Sequence, residues 1–167
     1  MIPRVLIVYA SKKGSTREVA QAIADRLEVD GLRTVVQPAS DRADLSAFDA
    51  VVIGGALYMG RWHRDARRFL HRHRSVLATM PVAVYAMGPT TMDEDAAASS
   101  LEQLERGLAS VHDVSPVAVS VFGGVVDPAR LHFPFNRMPP SDARDWDAIA
   151  AWADEVAGRV RRLDISV

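Results

Sequence analysis

The sequence predicts an α/β fold, a three-layer sandwich built on a five-stranded parallel sheet in the strand order 2-1-3-4-5. Two observations lead to this fold. Short runs of β-branched residues alternate along the chain with segments whose apolar residues recur every three or four positions. Most of these runs are apolar at consecutive positions, as expected for strands covered on both faces. At 167 residues the chain fits a single domain over residues 1–167.

Each predicted element follows from its local pattern. The β-branched runs predict five strands, at residues 5–10, 34–38, 50–55, 82–87 and 117–123. Between them, apolar residues at helical spacing predict amphipathic helices whose buried faces include Val19, Ile23, Leu104 and Ile149. Strand–helix–strand alternation indicates right-handed βαβ units. The ligand site of such a sheet lies outside the carboxyl ends of its strands, at the switch point between the first and third strands.

The composition argues against several classes of function. A formal net charge of −1 gives no overall field that would favour nucleic acid as a partner. The chain contains no cysteine, which removes disulfides, thiol catalysis and cysteine-ligated clusters, and no metal site is expected from the remaining residues. No apolar run approaches the ~20 residues of a membrane-spanning helix, and no signal-peptide pattern precedes the first strand. We therefore expect a cytoplasmic protein without an integral membrane segment, in which any redox chemistry depends on a bound organic cofactor.

A polar loop joins the first strand to the first helix and consists of Ser11, Lys12, Lys13, Gly14, Ser15 and Thr16. Free N–H groups and the positive end of the helix dipole make this position an anion site. The hydroxyl groups add donors, and Gly14 allows close backbone approach or a positive φ. A purely structural alternative remains, in which Ser15 and Glu18 form a capping box that starts the helix.

The loop fits a terminal phosphate better than other nucleotide groups. A Walker loop needs two glycines around four residues, and a dinucleotide fingerprint needs three spaced glycines, whereas this loop has Gly14 alone. A phosphate-receiver domain would need acidic residues after the first strand and an aspartate ending the third, where this chain has Ala10-Ser11 and Gly54-Gly55. A phosphomonoester held by hydroxyl and amide groups suits the loop best.

The same loop resembles the FMN phosphate loop of flavodoxins. The segments at 48–55 and 58–63, together with Met80-Pro81 and Asp145-Trp146, are similar to the branch of that family that includes menaquinone-dependent protoporphyrinogen oxidase. The resemblance covers essentially the whole chain. It implies a flavodoxin-like fold with FMN as the cofactor, its phosphate held by the loop from Ser11 to Thr16.

The resemblance also implies that the flavin ring lies between the loops after the third and fourth strands. The first of these loops includes Tyr58, Met59, Gly60 and Trp62. Either Tyr58 or Trp62 would stack on the ring, and the alternative for Trp62 is packing against the neighbouring helix. The second loop has no aromatic residue, so backbone amides and hydroxyls would meet the polar edge of the flavin; its candidates are Gly88, Pro89, Thr90 and Thr91.

Three further features of the sequence concern the surroundings of the predicted site. The flavin would carry the chemistry, so no catalytic residue is assigned, although His63 is a weak candidate for moving protons near the ring. The segment from Arg61 to Arg74 has six arginines and one acid, Asp65. It is either a solvated helix flank or a docking patch for an acidic partner or an anionic membrane surface.

The proline-containing segment at 124–144 is either a lid or substrate-facing surface or simple packing cover.

Two classes of function remain open at this point. The first is an FMN-dependent redox protein, either a carrier that passes electrons between partner proteins or an oxidase that passes hydrogens from a porphyrinogen to a quinone. The second is a binding or interaction module with the same fold that has lost FMN. Lys13 and the non-aromatic second loop favour the module, whereas Ser11, Gly14 and Thr16 favour the redox protein.

Overall fold

The computed structural model describes residues 1–11, 14–88, 93–126 and 141–165. Strands and helices alternate through most of the chain, as the sequence predicted. The strands are β1 (Arg4–Ala10), β2 (Arg33–Pro38), β3 (Ala50–Tyr58), β4 (Arg61–Trp62), β5 (Val82–Met87), β6 (Ala118–Phe122), β7 (Val125–Val126) and β8 (Ser141–Asp142). The helices are α1 (Ser15–Val29), α2 (Arg64–Arg72), α3 (Arg74–Leu77), α4 (Glu94–Ala109) and α5 (Trp146–Ile165).

The main sheet has the strand order β2-β1-β3-β5-β6, and all four of these pairings are parallel. This confirms the predicted order, because β5 and β6 are the fourth and fifth of the predicted strands. The third strand is longer than predicted: it continues to Tyr58 and pairs with the short antiparallel strand β4. The extension matters for function because it projects from the carboxyl edge of the sheet.

The sheet separates two apolar clusters, one on each face. Helices α1 and α5 cover the first cluster with side chains such as Ile23, Leu27 and Trp152. Helices α2 and α4 cover the second with Phe69 and Leu104 among others. The central strands β1, β3 and β5 are largely buried on both faces, which explains their continuously apolar sequences.

An antiparallel pair of short strands, β7 and β8, lies at the base of the proline-containing segment. The residues between them fall outside the described part of the chain, so the alternatives for this segment stay predictions. Within the described residues, no helix combines the length and the apolar character needed to cross a membrane.

Candidate functional site

The polar loop after β1 has the backbone of a helix start without a side-chain cap. Gly14 precedes α1 with φ +87°, a left-handed conformation that glycine adopts without strain, and no side chain caps the helix there. The capping box suggested by Ser15 and Glu18 is wrong in this structure, because the Glu18 carboxylate pairs with Arg144 instead. The first amides of α1 are therefore not occupied by a capping side chain. Lys12 and Lys13 lie outside the described residues.

Thr16 carries the strongest evidence for a ligand at this loop. Thr16 is completely buried in the first turn of α1. Its Oγ1 atom forms no hydrogen bond to any part of the chain that the structure describes. A buried hydroxyl without a partner destabilises a fold by about 1–3 kcal/mol, so such groups are rare unless a ligand satisfies them. Together with the uncapped amides and the hydroxyls of Ser11 and Ser15, this orphaned donor fits a phosphate group.

Tyr85 supports the loop through a hydrogen bond to the first turn of α1. Its hydroxyl donates a hydrogen bond of 3.1 Å to the backbone carbonyl of Thr16, and complete burial raises the pKa of the phenol, which keeps it a neutral donor. Gly54 lies beside Tyr85 in register on β3, and a Cβ atom there would overlap the tyrosine ring. The missing side chain of Gly54 is what lets the ring cross β3 and reach α1.

The β3–β4 turn forms a hairpin that overhangs the carboxyl edge of the sheet. Strand β3 pairs with β1 as far as Gly55 and with β5 as far as Ala56, so its last two residues extend beyond both neighbours. Met59 and Gly60 have φ of 52° and 77°, the combination of a two-residue type I′ turn. The side chains of Tyr58 and Met59 are 71% and 84% exposed at its tip. Tyr58 thus presents an accessible aromatic ring at the same carboxyl edge of the sheet as the anion loop, as a stacking residue requires.

Trp62 does not serve as a second stacking candidate. The residue is buried, and its Nε1 atom donates to the carbonyl of Tyr85 at 3.3 Å. Its ring lies under Gly55, where a Cβ atom would come within 2.6 Å of Nε1, and it packs against Gly107 of α4. The packing alternative therefore holds for Trp62, because the indole fills the core between the hairpin and α4.

Two other predicted contacts have structural roles. The sequence predicts that Gly88 meets the polar edge of the flavin. Its amide instead donates to the carbonyl of Phe122 at 2.6 Å, so this hydrogen is not available to the flavin. His63 precedes α2, where its Nδ1 atom accepts from the amide of Asp65 at 3.1 Å, and this bond leaves the ring proton of the neutral form on Nε2. Its role in proton movement remains a prediction. Pro89, Thr90 and Thr91 lie outside the described residues.

Arg144 is a structural link whose role is not apparent from the neighbouring residues in the chain. Its side chain is 11% exposed and pairs with Asp142 of β8 at 2.8 Å and with Glu18 in the first turn of α1. Its guanidinium also lies over the Trp146 ring, 4.7 Å from the centroid. The hydrogen bonds to Asp142 hold the pKa of Arg144 above its usual range and the pKa of Asp142 below its own. Arg144 therefore joins β8, α5 and the helix that begins at the anion loop.

The chain is similar in sequence to known proteins. Residues 6–138 match the family model described as Flavodoxin domain. Protoporphyrinogen IX dehydrogenase [quinone] from Escherichia coli K12 is 29% identical over 86 residues, which cover 50% of this chain and 48% of that protein. The chain thus matches about half the length of this relative.

Two solved flavodoxins share the fold. Oxidised Flavodoxin 2 from Bacillus cereus superposes with a TM-score of 0.64 at 22% identity, covering 93% of this chain and 99% of that one. The flavodoxin of Streptococcus pneumonia TIGR4 gives a TM-score of 0.57 at 19% identity, with coverage of 95% and 98%. At these identities the likeness extends to the fold and no further.

Proposed function

The chain belongs to the flavodoxin domain family, and on that premise we propose that it is a redox protein that binds FMN through the loop from Ser11 to Thr16. The observation that carries the proposal is the buried Thr16 hydroxyl, which has no partner among the described residues. A phosphate oxygen would accept its hydrogen bond and those of the uncapped amides of α1. The family membership supports a flavin cofactor, and the orphaned donor supports the position of its phosphate.

The residues around the loop position the cofactor in this proposal. Tyr85 and Arg144 hold the first turn of α1 against the sheet and against α5, which fixes the amides that face the phosphate. Tyr58 offers an exposed ring for stacking at the overhanging hairpin. The bound flavin would supply the redox chemistry, since its ring accepts one or two electrons and the chain contains no cysteine.

The electron acceptor in our proposal is a quinone, and the electron donor is a porphyrinogen. The support is the similarity to a relative from Escherichia coli, protoporphyrinogen IX dehydrogenase [quinone], with which half of this chain aligns. A carrier that exchanges electrons with a partner protein is the second candidate, supported by the likeness to flavodoxins over nearly the whole chain. Incubation of flavin-loaded protein with protoporphyrinogen and a quinone separates the two, because only the dehydrogenase produces porphyrin fluorescence that depends on the quinone.

FMN binding itself is tested without any substrate. Protein purified without added flavin is expected to show absorbance near ~450 nm, or to gain it on incubation with FMN, because the chromophore is the flavin's own. Riboflavin, which has no phosphate, is the matched ligand and should bind at least about tenfold more weakly if the loop grips the phosphate. A folded protein that binds neither flavin would overturn the proposal and favour an interaction module that has lost FMN.

A further inference from the structure

We propose that the outer face of α2, with the adjoining Arg61, is a docking surface for the acidic surface of a protein partner. The face comprises Arg61, Arg64, Arg68 and Arg72, which we call the arginine face. The inference rests on the proposed FMN-dependent function and deepens its second candidate, the electron carrier, because it names the chemistry of the protein partner that the redox site would meet. The arginine content of this segment is visible in the sequence, and the structure adds where the side chains lie.

The arginine face is exposed, and none of its four residues forms an ion pair with another described residue. All four residues are exposed, whereas the apolar side of α2, with Ala66, Phe69 and Leu70, is buried in the core. The ion pairs that the described residues form use other arginines, namely Arg26, Arg106, Arg144 and Arg159. The chain as a whole carries a net charge of −1, so this concentration of positive charge, which has no ion-pair partner within the described residues, is local.

The arginine face begins at the candidate redox edge. Arg61 pairs in register with Tyr58 in the hairpin that overhangs the carboxyl ends of the strands. Arg64 opens α2 directly after β4, and each step of four residues to Arg68 and Arg72 advances about 6 Å along the helix. A partner that covers this face therefore also covers the exposed Tyr58 and Met59. Apolar side chains with a basic border are the composition expected of a specific docking site.

The charge pattern favours a protein over a lipid surface. Helix α4 packs on the same side of the sheet as α2, with Gly107 beside Trp62 and Arg67, and it exposes Glu102 and Glu105 within five residues of that contact. A planar anionic bilayer that approached the arginine face would also approach these carboxylates, which it repels. A protein can present carboxylates to the narrow arginine face alone. The planar guanidinium groups suit this task, since they pair with carboxylates in a bidentate geometry.

The test compares two triple variants with the same change in net charge. The first, Arg64→Gln/Arg68→Gln/Arg72→Gln, neutralises the arginine face. The control, Arg33→Gln/Arg42→Gln/Arg161→Gln, neutralises three exposed arginines elsewhere that form no ion pair within the described residues. Binding to poly-L-glutamate is measured at low salt by calorimetry, and it needs no flavin. We expect the first variant to bind about tenfold more weakly than the wild type and the control to stay within about twofold.

Two further measurements decide between partners. Vesicles of phosphatidylcholine with phosphatidylglycerol should bind wild type and both variants equally weakly; a loss of strong vesicle binding in the first variant alone would overturn the proposal in favour of a membrane. Flavin-loaded wild type should accept electrons from a reduced acidic ferredoxin, with a rate that falls as salt rises. The first variant should lose about tenfold of this rate at low salt. Equal poly-L-glutamate affinities of the two variants would also overturn the proposal, whereas a failure to bind FMN would affect the redox function alone.

Discussion

The hydroxyl of Tyr85 lies 3.1 Å from the carbonyl oxygen of Thr16, to which it donates a hydrogen bond. The two residues are 69 positions apart, and the bond ties the fourth parallel strand of the chain to the first turn of α1. The same turn holds the Thr16 hydroxyl that lacks a partner among the described residues. Tyr85 therefore acts as a positioning residue, since it fixes the helix start without facing the ligand itself.

Removal of this hydroxyl is the first test. Tyr85→Phe keeps the buried ring and deletes only the hydrogen bond, so we expect the free energy of unfolding to fall by about 1 kcal/mol. FMN affinity should fall severalfold, because the first turn of α1 loses its tie to the sheet. Urea denaturation and flavin titration measure the two effects. Tyr9→Phe is the control, because the Tyr9 hydroxyl forms no hydrogen bond within the described residues; an equal loss in both variants would contradict the positioning role.

Gly54 is the complement of Tyr85, and its substitution should be costly for a steric reason. A methyl group at Gly54 would overlap the Tyr85 ring, so Gly54→Ala is expected to destabilise the fold by about 3 kcal/mol. Gly60→Ala is the comparison: a Cβ atom there meets no neighbour, and only the φ of 77° opposes it, at about 1 kcal/mol. Thermal or urea unfolding of both variants ranks them.

A double variant checks the cause assigned to Gly54. If overlap with the ring is the reason, Gly54→Ala/Tyr85→Leu should lose less stability than the sum of its single variants, because the leucine side chain vacates the space. Additive losses would mean that the backbone of β3, rather than the Tyr85 ring, opposes a side chain at position 54.

Arg144 should confer a stability that depends on pH. Arg144→Met removes the hydrogen bonds to Asp142 and the ion pair with Glu18, for an expected loss of about 1–2 kcal/mol at pH 7, limited because both carboxylates are about half exposed. The pKa of Asp142 is lowered in the folded protein by its hydrogen bonds to Arg144. Its contribution is therefore fully present above the unfolded pKa of about 4 and disappears as pH falls through the lower folded value.

The measurement is urea unfolding of wild type and Arg144→Met at pH 7 and at successively lower pH. The difference between them should shrink below about pH 4. Arg159→Met is the matched control, since Arg159 forms an exposed i,i+4 pair with Glu155 at 3.8 Å, and such pairs contribute about 0.3–0.5 kcal/mol. A pH-independent difference for Arg144→Met would show that packing against Trp146 is its main contribution.

The fold was predictable because each element carries its own signal. The apolar runs of β1, β3 and β5 specify buried parallel strands, and the polar loop at Gly14 marks the point where a strand turns directly into a helix. The strand order then follows from topology. These inferences need only neighbouring residues, which a sequence presents side by side.

The alternatives that the sequence leaves open concern contacts between residues distant in the chain. In the sequence, Glu18 is compatible with a capping box, because no neighbouring residue indicates that its partner is Arg144, 126 residues away. Trp62 resembled a ring-stacking residue because its burial depends on α4, which supplies Gly107 some 45 residues later. Tyr85 and Gly54 form a pair only once β3 and β5 are known to be in register. A lone Gly-Gly in a strand is a hint of such close packing, but it does not identify the partner.

Thr16→Val gives the most direct test of the anion loop, because it should move two properties in opposite directions. The substitution replaces a buried hydroxyl that has no partner in the described structure with a methyl group of similar size. The protein without flavin should therefore be as stable as the wild type, or more stable by up to about 1 kcal/mol. FMN binding should weaken by ~1–3 kcal/mol, because the phosphate loses a donor, while the already weaker binding of riboflavin should not change.

Thr34→Val is the opposite control: the Thr34 hydroxyl donates to Glu28 at 2.6 Å at the amino end of the sheet, so its loss should reduce stability slightly and leave FMN affinity intact. If Thr16→Val lowered the stability of the flavin-free protein and left FMN affinity unchanged, the hydroxyl would have a partner within the chain and the phosphate would lie elsewhere.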